Sequence, residues 1–357
     1  MRIVTILLAG ALLTLACGGN SGSGSTPSGP TAKKIALLLP ETKTTRYEAK
    51  DRPLFTAKLM ALCPNCTILY SNANQDAAQQ QSQAEAALTN GASVLVLDAV
   101  DGAAAAGIAT KAKAAKVPVV SYDRLITGSD AVNYYVSFDN AKVGALQGNA
   151  LLTALNGKTN PNVVFIDGSP TDNNAKLFKQ GAHSVLDGKI KLVAEYDTPD
   201  WSPDKAQVEM TQALTAAGST KIDGVLAAND GTGGAAIAAM KAAGIKPLPP
   251  VTGQDAELAA IQRIVTGDQY MTVYKAIKAE AEAAASLAFS LSQGKSPDSG
   301  TVNGTTNNGS IDVPSVLLVP VAVTKSNIAS TVIADGFYAK TDICTADFAA
   351  ACTAAGL

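Results

Sequence analysis

The stretch 117–125, "VPVVSYDRL", decides the reading of the fold. Val117, Val119 and Val120 run without polar alternation, as a strand buried on both faces requires. The run then ends in Asp123 and Arg124, two opposite charges at the strand's tip. In an open α/β sheet, ligands bind in the crevice outside the carboxyl ends of the strands. Whether other strands end the same way therefore becomes the question.

They do. Working outward, "KIALLLP", "TILYS", "SVLVLD", "NYYVSFD", "NVVFIDG", "KLVAEYD", "DGVLAAND", "PPVTGQD" and "QYMTVYK" read as further strands. Helical, alanine-rich stretches separate most of them, at 76–90, 102–115, 140–156, 173–187, 203–217, 231–243 and 256–266. Alternation of this kind implies βαβ units and parallel sheets. Two sheets of roughly five or six strands suit the length better than one of ten or more. The expected fold class is therefore α/β, with two doubly wound lobes and a first break near Asp139. The strand ends carry Asp98, Asp123, Asp139, Asp167, Asp197, Asn229 with Asp230, Asp255 and Lys275. A single terminal Asp reads as a helix N-cap. A set that also includes Arg124, Asn174 and Lys275 does not, because caps need no cations.

Composition is that of an ordinary folded chain. The 357 residues are 47% hydrophobic and 16% charged, with net charge −2, so nothing suggests nucleic acid as a partner. The leader "MRIVTILLAGALLTLACGG" has Arg2, an apolar run from Ile3 to Ala16, then Cys17. This describes an export signal over residues 1–16. Cys17 after Ala16 resembles a lipobox, in which the thiol takes a lipid anchor to the membrane; a plain secretory cleavage is the alternative. Residues 17–32, rich in Gly and Ser, read as a flexible tether.

Four cysteines remain. In an oxidising compartment Cys63 with Cys66, and Cys344 with Cys352, read as disulfides. A redox-active C-x-x-C wants a helix N-terminus, but "CPNC" follows the helical "LFTAKLMAL", at the wrong pole of the dipole. The distant pair would pin the tail, 341–357.

Catalysis finds little support. His183 is the only histidine, so no Ser-His-Asp or Cys-His set can be built. No Cys/His metal spacing appears. "GTGGAA" (231–236) fits G-x-G-x-x-A, with Asp255 downstream. Exported proteins rarely meet free dinucleotides, however, and glycines also let a helix approach a strand closely. Paired carboxylates could hydrolyse a glycoside, but none has an apolar setting that would raise its pKa. No cofactor and no catalytic residue is expected.

The aromatics point to binding instead. Trp201, the only tryptophan, and Tyr47 both fall in strand-to-helix loops. Two flat rings from two lobes could sandwich a pyranose, whose rim hydroxyls each need a polar partner. An unpaired buried polar group costs about 1–3 kcal/mol, which is how such a site rejects the wrong isomer.

Six segments carry a closer likeness: "VVSYDRLI", "YYVSFDNAKVGALQGNAL", "GSPTDNNAKLFKQG", "AANDGTGGAAIAAM", "GQDAELAAIQRIVTGDQYMTVYK" and "DVPSVLLVPVAVTKSNI" with "VIADGFY". From about Lys33 to Tyr338 the chain resembles the periplasmic sugar-binding proteins of ABC importers, of the D-xylose-binding type. The resemblance implies a type I periplasmic binding protein fold with three crossings between lobes. These fall near Asp139, Lys275 and Val313, giving an N-terminal lobe of 33–139 plus 276–312 and a C-terminal lobe of 140–275 plus 313–340. It implies a ligand shell of Arg46, Asp123, Arg124, Asn174, Asn229, Asp255 and Lys275, with Tyr47 and Trp201 stacked on the sugar and Asp172 as a further contact. Tyr47 departs from the family, which usually has Trp there. The implied function is a monomeric, lipid-anchored extracytoplasmic receptor that delivers a neutral monosaccharide, D-xylose first, to an ABC permease. A same-fold receptor for ribose, glucose or a signalling furanose is the nearest alternative. A transcription regulator would need a DNA-binding unit where residues 1–32 supply a signal and tether, and a secreted sugar-processing enzyme is the alternative of another class.

Overall fold

Runs of Leu, Val and Ile without polar alternation become the inner strands of two parallel sheets, because such strands are covered on both faces. The computed structural model describes residues 33–218 and 222–357. The expected signal segment, the lipidated Cys17 and the tether lie outside the described residues.

The first sheet contains β1 (Lys34–Leu39), β2 (Thr67–Asn72), β3 (Val94–Leu97), β4 (Val119–Tyr122) and β5 (Tyr134–Phe138), parallel in the order β2-β1-β3-β4-β5. Helix α1 (Arg52–Leu62) covers one face, with Phe55 and Leu59 buried against Leu37, Val96 and Val120. Helices α2 (Ala77–Thr89) and α3 (Ala105–Ala114) pack on the other through Ala84, Ala87, Ile108 and Ala109. Alanine on the inner faces of these helices lets them lie close to the sheet.

The second lobe is built on β6 (Asn162–Asp167), β7 (Lys191–Asp197) and β8 (Gly224–Ala227), in the order β7-β6-β8. Helices α4 (Asn140–Ala154) and α5 (Asn173–Leu186) cover one face; α6 (Pro203–Ala217) and α7 (Asp230–Ala242) cover the other. The expected strand "PPVTGQD" is reduced to single parallel bridges, Val251 to Val225 and Gln254 to Val273. Those bridges link β8 to β9 (Met271–Tyr274), after α8 (Leu258–Thr266).

The chain leaves the first sheet after β5 and returns after β9 through α9 (Ile277–Ser292), whose Ala281, Ala284, Ala285 and Ala288 join the core with α1. Two strands follow, β10 (Gly304–Asn307) and β11 (Asp312–Leu318). Here the boundary at Val313 is corrected. Ser315–Leu318 pairs in parallel with Tyr135–Phe138, so β11, with β10 antiparallel on its outer edge, extends the first sheet to seven strands. Only after exposed Val319 does the chain cross again, and β12 (Val321–Thr324) then pairs antiparallel with β9. The lobe boundary thus lies at 319–320, because the one apolar run "SVLLVPVAV" is split between two sheets.

The tail folds as α10 (Lys340–Ile343) and α11 (Ala349–Ala354), with Ile343 and Cys352 buried against Ile261, Ile264 and Val332. Cys344 and Cys352 lie 5.9 Å apart at Cα, and Cys63 and Cys66, at the end of α1, 5.3 Å. Both spacings are within disulfide reach. No helix among the described residues is long and apolar enough to cross a membrane.

Candidate ligand site between the lobes

Every strand-to-helix loop that faces the other lobe starts at a strand's carboxyl end, so the loops of the two sheets meet tip to tip. Where they meet, a cavity of about 250 Å³ is lined by Arg46, Tyr47, Asp123, Arg124, Asp172, Asn174, Trp201, Asn229, Asp255 and Lys275. All ten expected residues are therefore brought together, the first four from one lobe and the other six from the second. Thr44, Phe178 and Gln254 also line it and were not anticipated. The space is tightly closed by these side chains, which limits an occupant to a small molecule.

Other strand-end groups go elsewhere. Asp139 caps α4 through Lys142 N–H. Asp98 lies behind the cavity, 3.6 Å from Arg124 Nε. Asp167 and Asp197 turn outward to Lys179, at 3.1 and 2.9 Å. Asp230 is buried under α7, where its carboxylate accepts from Gln269, Thr272 and Glu257 N–H. Asn229 serves twice: its Oδ1 caps α7 by accepting from Thr232 N–H at 2.8 Å, which leaves its amide NH₂ for the cavity it lines. The glycines of "GTGGAA" belong to packing. A Cβ on Gly233 would come within 2.9 Å of Thr252 O.

The site is densely charged and buried. Arg46 donates from Nε to Asp51 (2.9 Å) and from Nη2 to Glu280 (2.6 Å), and its Nη1 reaches Asp123 at 3.3 Å. Asp123 also accepts from Tyr47 Oη at 2.9 Å. Arg124 pairs with Asp172 (3.1 Å) across the cleft and faces Glu41 (3.7 Å). Lys275 pairs with Asp255 at 3.1 Å and lies 3.8 Å from Asp123. Burial alone would raise the Asp123 carboxyl, but Arg46, Lys275 and Arg124 outweigh it and hold it at about 2. Burial pushes Asp98 and Glu280 well above the usual carboxylate range, which corrects the expectation that no carboxylate has a setting that raises its pKa. For Asp172 burial also wins over Arg124, and the direction is upward.

Rings flank these groups. Trp201 donates from Nε1 to Asp172 at 3.0 Å and meets Phe178 edge-on at 6.3 Å. The guanidiniums of Arg46 and Arg124 lie 5.3 and 5.5 Å from the Tyr47 ring centre.

Two further features set the cavity apart from ordinary core. Gln254 Oε1 is buried without a hydrogen bond, and Asp255 Oδ1 and Arg124 Nε have only ion pairs, chiefly with Lys275 and Asp172; such atoms call for an explanation. Asp123, Trp201 and Asp255 hold φ of +51°, +52° and +86°. Non-glycine residues at such angles cost about 1–3 kcal/mol each and cluster at ligand clamps.

The lobes touch directly around the cavity. Asn174 donates to Asp123 O at 2.8 Å and accepts from Tyr135 Oη at 3.2 Å. At the rim, Gln75 donates to Asp200 O (3.0 Å) and Gly102 N–H to Thr171 O (3.2 Å). This is a closed arrangement, with nearly every lining side chain out of solvent.

The comparisons agree with this geometry. A family model described as a periplasmic binding protein domain matches residues 35–296. The chain is 40% identical over 315 residues to the D-xylose-binding periplasmic protein of Escherichia coli K12, covering 87% of this chain and 92% of that one. A carbohydrate transporter solute-binding protein from Chloroflexus aurantiacus, solved with D-glucose, aligns with TM-score 0.79 at 32% identity, over 87% and 98% of the two chains. An ABC transporter solute-binding protein from Clostridium phytofermentans, solved with β-D-glucose, aligns at 0.80 and 30%, over 87% and 100%. The architecture is the type I periplasmic binding fold that these structures share.

Proposed function

Since this chain belongs to the periplasmic binding proteins, a family of non-enzymatic receptors, we propose that it binds one neutral monosaccharide, D-xylose in the first place, between its lobes and hands it to an ABC permease. The observation that carries this reading is the convergence of ten polar and aromatic residues, from the strand-end loops and helix starts of both lobes, on one small buried cavity. The D-xylose-binding relative, at 40% identity, supports the choice of sugar.

In this mechanism the sugar first meets one lobe in an open cleft. The hinge then closes, as in other two-lobed receptors. Asp123, Arg124, Asp172, Asn174, Asn229, Asp255 and Lys275 supply partners to its hydroxyls, and Tyr47 and Trp201 cover its C–H faces. Hydrogen bonds from charged groups are roughly twice as strong as neutral ones, so charge suits even an uncharged ligand. The buried groups that lack hydrogen bonds, Gln254 Oε1 and Asp255 Oδ1, are the atoms a hydroxyl would satisfy. Cys17 carries a lipid that holds the receptor at the membrane, the two cysteine pairs are disulfides, and the receptor acts as a monomer.

D-Glucose is the second reading, favoured by the two solved relatives that hold it. A thermal-shift screen with neutral monosaccharides, followed by calorimetry, tests both. A sugar at a hundred times its Kd adds about 2.7 kcal/mol of stability. D-Xylose should give the largest shift; a larger shift with D-glucose moves the assignment to that sugar, and no shift with any sugar refutes the proposal.

A further inference from the structure

Behind Trp201 stands a residue with no role assigned so far. Gly168 follows β6 and opens the loop that carries Asp172 and Asn174. A Cβ built on Gly168 would lie 2.1, 2.3 and 2.6 Å from Cη2, Cζ2 and Cζ3 of Trp201. The outer half of the indole therefore rests against the glycine's backbone. Gly168 does not have the left-handed φ that favours glycine. Its dihedral angles would not exclude alanine on that ground; the ring does.

The ring is also a wall between two spaces. Trp201 lines the interlobe cavity, whereas Gly168 lines an outer groove with Ser169, Lys179 and His183. Other contacts hold the indole in its own plane and along its loop. Nε1 donates to Asp172, Phe178 abuts it edge-on, and Gln75 of the other lobe donates to the carbonyl of Asp200, next to Trp201. Asp200 and Trp201 both have positive φ, so the loop has little freedom to give. What remains for Gly168 to set is depth. Since ordinary contact begins near 3.4 Å, a methyl there would drive the ring tip about 1.3 Å away from the glycine, toward the cavity. Binding groups need to be held within about 0.5 Å of their productive place.

We propose that Gly168 is a positioning residue that fixes how deep the Trp201 ring sits, and through it the size of sugar the cavity takes. This rests on the sugar-binding reading given above. The sole tryptophan makes the proposal directly observable, because emission excited beyond the tyrosine absorption band reports Trp201 alone.

The test is a cycle of four proteins: unmutated, Gly168→Ala, Trp201→Phe and the double variant. Gly168→Ala should shift the emission maximum, and its acrylamide quenching, with no sugar present. It should also weaken D-xylose binding by roughly tenfold or more, the affinity lost with one good hydrogen bond. In the Trp201→Phe background, whose smaller ring does not reach the added methyl, Gly168→Ala should cause no measurable further loss. An unchanged emission, or an equal loss in both backgrounds, overturns the proposal. Should Gly168→Ala fail to fold, recovery of Tm in the double variant supports it and no recovery refutes it. If the unmutated protein binds no neutral sugar, the functional reading falls, while the ligand-free emission still decides where the ring is held.

Discussion

Asp123→Asn is the change that probes the site most directly. It keeps the shape and removes one negative charge. In the structure that charge faces Arg46 at 3.3 Å and Lys275 at 3.8 Å, and accepts from Tyr47 Oη at 2.9 Å. These partners outweigh burial and hold the carboxyl at about 2, against about 3.9 in an unfolded chain. A folded-state pKa below the unfolded one adds stability above the unfolded value, lost as pH falls through the folded one. Nearly two pH units of depression are worth roughly 2–3 kcal/mol at pH 7 and about half of that at pH 3. Urea unfolding of both proteins at the two pH values should show that narrowing gap. The same carboxylate is assigned to a sugar hydroxyl, a charged hydrogen bond worth about 1.5–3 kcal/mol. Calorimetry should then show D-xylose bound about ten- to a hundredfold more weakly. A variant as stable as the parent at pH 7 would refute the electrostatic reasoning, and one that binds sugar undiminished would remove Asp123 from the ligand shell.

Three other outcomes are expected. Asp167, buried beneath a lysine shared with Glu195 and Asp197, is raised by burial to about 7. An acid so raised costs stability as pH climbs from about 4 to 7, so Asp167→Asn should unfold at higher urea than the parent at pH 8, with little difference at pH 4; a variant less stable at pH 8 contradicts this. Replacing Cys344 and Cys352 by Ser opens a loop with a separation of 8 residues, which should cost about 2 kcal/mol on the chain-entropy account and lower the Tm; an unchanged Tm would mean the pair is not joined. Cys17→Ser should move the protein from the membrane fraction to the soluble one, and a protein that stays with the membrane argues against the lipid at Cys17.

Most of the fold was legible because inner parallel strands leave a plain signal. "SVLVLD" and "VPVVSYD" show apolar runs with a polar end, and both become central strands. "SVLLVPVAV" misled because its two halves look alike, and nothing local says that Ser315 pairs with Tyr135 while Val321 pairs with Tyr274. The candidate shell was legible for the same reason, since strand tips announce themselves. Yet Asp98, Asp167 and Asp255 carry identical local signals and differ in destination, which depends on the side of the sheet to which each loop turns. Phe178, an apolar residue of α5, packs in the core of the second lobe and also faces the cavity, and nothing local marks the second role. Gln254, beside Asp255 in "GQDAELA", could have been named from that quoted run. The layer behind the site, Asp51 and Glu280 on Arg46, could not have been: Glu280 comes from α9, which returns to the first lobe only after the chain has built most of the second.

The cost of this arrangement is itself informative. Three shell residues sit at positive φ, seven acids, Glu41, Asp51, Asp98, Asp123, Asp172, Asp255 and Glu280, crowd around Arg46, Arg124 and Lys275, and several buried polar atoms lack hydrogen bonds. Each departs from what stabilises a fold, and a chain selected for stability alone would relieve them, with glycine at the strained positions and apolar groups in place of the surplus carboxylates. Local rules are expected to fail together only where function requires it. Single failures occur elsewhere, as at Gln83, Gln147, Lys116 and Asn160, but on both walls of this cavity they occur together. Burial shifts Asp98 and Glu280 upward, the direction that lessens the excess of negative charge in the cluster. Each wall, strained in advance within its own lobe, loses little further freedom when the lobes close on a ligand. The strain is thus borne by the receptor before the sugar arrives, and selectivity among isomers follows from the rigidity of the partners.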